Sequence, residues 1–165
     1  MLLSEKNPAR AARNPLPPKL AALIREFRWL ALLGLALYVA LSLYTYDRAD
    51  PGWSHGLTEI GPIRNAGGRV GAWVADVLLL LFGLSAYWWV GFGAAAVWWG
   101  FRRIDAAELR DRRSHVIAVV GFAIVLAASC GLEAIRLHSL TAALPQAPGG
   151  MLGAVLGGSL AQALG

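Results

Sequence analysis

Uncharged apolar positions gather into three long runs separated by charged connections. The first, residues 29–46, begins with Trp29 and closes on Tyr44 and Tyr46. The second, residues 72–101, opens Ala72-Trp73-Val74-Ala75-Asp76 and continues through leucines to Trp98-Trp99; Asp76 is its one charge before Arg102. The third covers residues 114–132. Crossing a hydrocarbon core of about 30 Å takes roughly 20 apolar residues as helix. The pattern therefore predicts three transmembrane helices, with aromatic residues at both ends of the first suited to the two headgroup zones.

The second run needs a choice. Thirty residues make a helix of roughly 45 Å, longer than one perpendicular crossing. It is either a tilted helix projecting into the cytoplasm or a hairpin broken near Gly91 and Gly93. The connections decide. Lys6, Arg10, Arg13, Lys19, Arg25 and Arg28 precede the first run, and Arg102, Arg103, Arg110, Arg112 and Arg113 separate the second from the third. Between the first two runs Arg48, Arg64 and Arg69 cancel Asp47, Asp50 and Glu59. Basic excess marks the cytoplasmic side, so residues 1–28 form a basic cytoplasmic tail and the neutral loop lies outside. One crossing for 72–101 keeps both basic segments inside; a hairpin would not.

Composition supports the same solvent. The chain of 165 residues is 57% hydrophobic and 15% charged, with mean hydropathy +0.53. A water-soluble domain of this size could not hide three such runs. The net charge of +5 would suit nucleic acid, but its placement at membrane flanks favours topology over DNA contact. A cleaved signal peptide is disfavoured by the long basic lead and the poor cleavage site at Ala40-Leu41-Ser42. Cys130, the one cysteine, reads as a small buried hydrophobe.

Residues 137–165 read as irregular and then glycine-rich, a periplasmic, interfacial or re-entrant segment. Gly149, Gly153 and Gly157 fall four apart, the spacing that lets helices approach closely. The stretch after Gly150 is short for a span. The architecture expected is thus an all-α membrane protein with three crossings, a truncated four-helix module.

Catalytic chemistry is not indicated. Gly67-Gly68-Arg69-Val70-Gly71 lacks the spacing and the lysine of a nucleotide loop. His55, His115 and His138 fall on opposite sides of the expected bilayer, which argues against a shared metal. No nucleophile elbow appears. The reading is a non-enzyme with no cofactor. Asp76 remains: an acid within a membrane helix is a candidate for proton relay or interhelical contact. Its place about one turn into the expected helix favours a capping or interfacial acid near the helix N-terminus, with Arg69 a conceivable partner.

From Asp47 to Gly91 the order of motifs resembles the N-terminal membrane domain of the FtsK/SpoIIIE DNA translocases. The matching residues are Asp50-Pro51-Gly52-Trp53-Ser54, then Pro62-Ile63-x-Asn65-x-Gly67-Gly68, then Gly71-Ala72-Trp73-x-Ala75-Asp76, then Phe82-Gly83. The likeness extends through Ser129-Cys130-Gly131-Leu132, so that residues 29–136 form the FtsK-like part. Gly52 stands where that family often has Ser, and Arg48 where it often has Pro. The resemblance implies an inner-membrane anchor and interaction module at the bacterial division septum, serving cell division and chromosome segregation. It implies contacts with lipid and other division proteins, and homo-oligomerisation through the family's ATPase motor. That motor, the linker and the fourth helix are expected beyond Gly165, so no direct DNA contact is expected from this chain. Asp50, Pro51, Trp53, Asn65, Gly67, Gly68, Gly71, Trp73 and Asp76 are the candidate structural or interaction residues. The competing reading is a small transporter or channel subunit with Asp76 in a polar path.

Overall fold

A computed structural model describes residues 17–54, 62–102, 112–136 and 144–164. His55, Glu59, Arg103, Arg110 and His138, with the tail at 1–16, lie outside the described residues, so the expectations placed on them remain readings of sequence. Five α-helices follow one another among the described residues: α1 (Pro18–Tyr44), α2 (Gly68–Phe82), α3 (Trp88–Arg102), α4 (Arg112–Arg136) and α5 (Gly150–Leu164). A 3-10 turn, Gly83–Tyr87, joins α2 to α3. Among the described residues there is no strand. Three segments among the described residues are long and apolar enough to cross a membrane: Glu26–Tyr44, Gly68–Gly100 and Ser114–Arg136.

α1 starts at Pro18, where proline fits because the first helical N–H has no intrahelical partner anyway. It runs antiparallel to α3. At one end the Trp29 ring lies over Gly100, leaving no room for a side chain there. Midway, a Cβ on Gly93 would sit 3.1 Å from Ala36. At the other end Tyr87 donates its hydroxyl to the Leu43 carbonyl at 3.1 Å. The start of α1 and the end of α3 therefore lie together. Most of α1 otherwise turns apolar side chains outward; Phe27 is 72% exposed and Leu37 62%. Such a surface is tolerable only against lipid or another apolar partner.

The run 72–101 is not one uninterrupted helix, and its break does not fall at Gly91 or Gly93. The chain turns at Gly83, whose φ of +61° is open to glycine at little cost. Leu84 and Ser85, whose amides begin the next helical segment, find an acceptor in Glu133 (below). The contacts that fix α2 fall on Tyr38 to Tyr46, at and just past the end of α1; at its other end Gly150 lies against Leu81, and the turn that follows meets Glu133 and Gly149. α2 thus lies across one end of the bundle, here the cap end, while α3 runs back along α1. Only α3 and the 3-10 turn return along the bundle. A small core forms under α2 from Leu43, Ala75, Leu79, Ala86 and Leu144.

Within the described part of 137–165, residues 144–149 are irregular and residues 150–164 form α5. α5 packs on α4 through the spaced glycines: a Cβ on Gly153 would lie 2.6 Å from the Cys130 carbonyl, and one on Gly157 3.4 Å from Ala134. Close backbone approach of this kind is what small residues at every fourth position permit. Toward the basic end α3 and α4 meet through rings, with Phe92 stacked on Phe122 at 4.3 Å and Trp89 edge-on to Phe122 at 5.0 Å.

Candidate functional site

The candidate residues converge at the cap end. α1 finishes with open carbonyls, as every helix does, and Asn65 closes them. Its Nδ2 donates to Ser42 O at 2.8 Å and Thr45 O at 3.3 Å. Its Oδ1 accepts the Gly67 amide at 2.8 Å. One buried side chain thus ends α1 and starts the turn into α2. Thr45 does the same in reverse, donating to Leu41 O at 2.7 Å and accepting the Ala66 amide at 3.0 Å. Tyr38 reaches up to donate to Gly67 O at 2.9 Å. Space explains two of the glycines. A Cβ on Gly67 would be 2.6 Å from Ser42 Oγ, and one on Gly71 2.7 Å from Asn65 Oδ1. Gly68 has open space but a φ of +65°.

Asp50 is buried and holds the returning strand of the loop. Its two carboxyl oxygens accept the Arg64 amide at 2.8 Å and the Asn65 amide at 2.7 Å. Outside it, Arg64 pairs with Asp47 at 2.9 Å, and the Ala49 amide donates to Asp47 at 2.9 Å. The Ala49 amide, then Arg64, hold the Asp47 carboxyl below its usual value, and Asp47 raises Arg64 in return.

Asp76 lies two turns into α2, because that helix begins at Gly68 rather than at 72. It is 1% exposed. Oδ2 accepts the Ser54 amide at 2.7 Å; Oδ1 accepts the Ser54 hydroxyl at 2.6 Å and the Tyr46 hydroxyl at 3.2 Å. It caps no helix end, since the N-cap of α2 is Gly67. Asp76 is an anchor for the turn 50–54, which folds over it so closely that a Cβ on Gly52 would lie 2.5 Å from Asp76 Cγ. A side chain at 52 would require the turn or Asp76 to shift. Burial first, and then the neighbouring Asp76, push the Tyr46 phenol well above its usual value. Pro51 presets the turn. Trp53 leaves it 69% exposed and meets Trp73 of α2 edge-on at 6.2 Å.

A second polar cluster escaped sequence reasoning. Glu133, 4% exposed on α4, turns away from the solvent and toward the break between α2 and α3. Its Oε1 accepts the Leu84 amide at 2.7 Å; its Oε2 accepts the Ser85 amide at 2.9 Å and the Ser85 hydroxyl at 2.8 Å. Ser129, one turn earlier, bonds the Ser85 hydroxyl at 2.8 Å and accepts Trp88 Nε1 at 3.1 Å. The available signal was Ser129 and Glu133 at i,i+4, on one face of an apolar helix. The Glu133 contacts lie 48 and 49 residues away along the chain. Among the described residues no three His, Cys, Asp or Glu side chains gather where a metal could be held.

Similarity to known proteins covers nearly the same residues. The profile of the 4TM region of DNA translocase FtsK/SpoIIIE matches residues 21–165. The chain is 47% identical over 170 residues to DNA translocase FtsK 2 of Ralstonia nicotianae, covering 95% of this chain and 22% of the relative. It is 34% identical over 162 residues to DNA translocase FtsK 1 of Neisseria meningitidis serogroup B, covering 98% of this chain and 20% of the relative. It is 38% identical over 119 residues to DNA translocase FtsK of Vibrio vulnificus, covering 72% of this chain and 12% of the relative. The chain spans about a fifth of the length of the first two relatives. No solved structure matches it.

Proposed function

The chain belongs to the FtsK/SpoIIIE DNA translocase family, as its multi-pass membrane region, and on that premise we propose that it anchors a DNA-translocating motor at the division septum. Its job is assembly and placement of that motor, through contacts with lipid and with other septal membrane proteins. Homo-oligomerisation comes from the motor, and DNA is handled there rather than by this chain.

The observation that carries this reading is the employment of the buried acids. Asp50, Asp76 and Glu133 each accept backbone amides and tie the segments 50–54, 64–65 and 84–85 to the helices. Acids bound in this way build a rigid cap. An exposed aromatic pair, Trp53 with Trp73, then stands on the cap as a contact surface. The start of α1 and the end of α3 lie together, which supports placing both basic flanks on the cytoplasmic face.

Topology reporters test the orientation. One fused after Arg110 should report cytoplasm and one after Glu59 periplasm; the reverse pattern defeats it. A fluorescent fusion should collect at the septum. Two variants separate this reading from transport: an anchor shows altered assembly or placement in Asp76→Ala and little change in Asp76→Asn, whereas a transporter loses proton or ion flux in liposomes with either.

A further inference from the structure

Between α3 and α4, above their ring contacts, the helices part and leave an open groove of ≈ 950 Å³. Its walls are apolar and exposed, with Trp88 and Gly91 on one side and Val125 and Leu132 on the other. Its deeper polar groups are already engaged with one another: Trp88 Nε1 donates to Ser129, and Glu133 is held by the Leu84 and Ser85 amides. Arg136, the last residue of α4, stands exposed at the mouth.

We propose that this groove is a phospholipid site, taking one acyl chain along its length and an anionic phosphodiester at Arg136. Dimensions favour this occupant over a helix of a second copy. From Val125 to Arg136 the helical rise covers about 16 Å, roughly half of a hydrocarbon core of about 30 Å. The groove is one leaflet deep and closes where Phe92 and Phe122 stack. A transmembrane helix would need a seam through both leaflets. A lipid needs apolar walls to the midplane and a cation at headgroup level, which is what Val125 and Arg136 mark. The carboxyl of Glu133 also lines the groove, but its oxygens face the amides at the break rather than the mouth. The inference rests on α3 and α4 being membrane-embedded, and not on the division role.

The 165-residue chain, delipidated in neutral detergent, is titrated with dioleoyl phosphatidylglycerol and with dioleoyl phosphatidylcholine and followed by native mass spectrometry. One phosphatidylglycerol should bind in preference to phosphatidylcholine. Arg136→Gln should lose about fivefold of phosphatidylglycerol affinity, as removal of one cation near an anionic headgroup does, and leave phosphatidylcholine unchanged. Gly91→Leu, at a position where a new Cβ meets only the Trp88 ring at 3.9 Å, should fill the groove and lose both lipids. Should that variant fail to give a native circular dichroism spectrum, Val125→Trp replaces it as groove filler. Equal phosphatidylglycerol binding by all variants overturns the site. So does displacement by millimolar inorganic phosphate alone, or a groove-filling variant that lowers the oligomeric mass while lipid stays bound. Retention in the membrane fraction after an alkaline wash is measured in parallel. Loss of retention would overturn the embedding itself; retention with unchanged lipid binding overturns only the groove.

Discussion

Removing the Asp76 carboxyl should loosen the cap by an amount that can be worked from the three bonds it accepts from Ser54 and Tyr46 among the described residues. Asp76→Ala strips the acceptor from the Ser54 amide at 2.7 Å, the Ser54 hydroxyl at 2.6 Å and the Tyr46 hydroxyl at 3.2 Å. Hydrogen bonds to a carboxylate contribute about 1.5–3 kcal/mol each. The amide cannot reorient, so it loses the most; the two hydroxyls can rotate toward other acceptors, and the Tyr46 bond is long. Counting the amide fully and the hydroxyls at a fraction gives a loss of about 3 kcal/mol. For a chain of this length about 1 kcal/mol moves the melting temperature by roughly 2–4 °C, so a fall of about 6–12 °C is expected. Asp76→Asn should cost far less. Its amide oxygen can keep the Ser54 N–H, and its nitrogen then faces two hydroxyls that can turn to accept, leaving a cost of about 1 kcal/mol. Thermal unfolding in detergent followed by circular dichroism measures the order, and hydrogen exchange at the Ser54 amide reports the cause. Equal effects of Asn and Ala would refute the reasoning, as would an Ala variant whose Ser54 amide exchanges at the wild-type rate.

Glu133→Ala should destabilise by about 4 kcal/mol, because two amides lose their acceptor in buried surroundings; faster exchange at Leu84 and Ser85 is the local readout. Gly83→Ala should cost more than about 2 kcal/mol, since φ is +61° and the added Cβ would meet Gly149 N at 2.5 Å and Glu133 Oε1 at 2.6 Å; Gly121→Ala, with open space around it, serves as the neutral control in the same melts. The Tyr46 phenol is raised above its usual value near 10, so the folded state holds its proton more tightly than the unfolded one. That contribution is complete below about pH 10 and is lost as pH rises toward the folded-state value; melts across this range should fall in wild type and flatten in Tyr46→Phe.

The apolar runs were legible because each is a local property. Pattern and length alone place the three long apolar segments, and the motif order from Asp50 to Asp76 marks the residues that meet at the cap. What sequence spacing could not supply was the choice among equivalents. Gly83, Gly91 and Gly93 are equally able to break a helix, and only Gly83 has an acceptor waiting for the amides that follow. That acceptor, Glu133, lies 48 and 49 residues further on, beyond any local pattern. Asp76 was visible as an acid in an apolar run, but its role depended on where α2 begins. Four more residues of helix moved it from the first turn to a buried position under Gly52. The glycines at 149, 153 and 157 carried a packing signal diluted by the many other glycines, 19 in all, and only the backbone of α4 at Cys130 and Ala134 separates signal from background.

The two central acids do related work for amides of different burial, and this orders their importance. Asp76 serves a loop at the end of the bundle, where Ser54 and Trp53 are exposed and water can take over a lost bond at modest cost. Glu133 serves a break between two apolar helices, where the Ser85 amide is buried and has no ready replacement acceptor once freed. A helix interrupted at Gly83 is therefore stable only while α4 brings a carboxyl to Leu84 and Ser85. The glycine contacts of α5 with α4, together with those of Gly149 and Gly150 against Gly83 and Leu81, hold α4 and the break together. The α4–α5 pair thus acts as a prop for the turn between α2 and α3. Shortening the Glu133 side chain should consequently disturb the α2–α3 turn before it disturbs α4, with exchange rising first at Leu84 and Ser85 and only later along 125–132. Simultaneous loosening of both would mean that α4 itself, rather than the break, depends on the carboxyl.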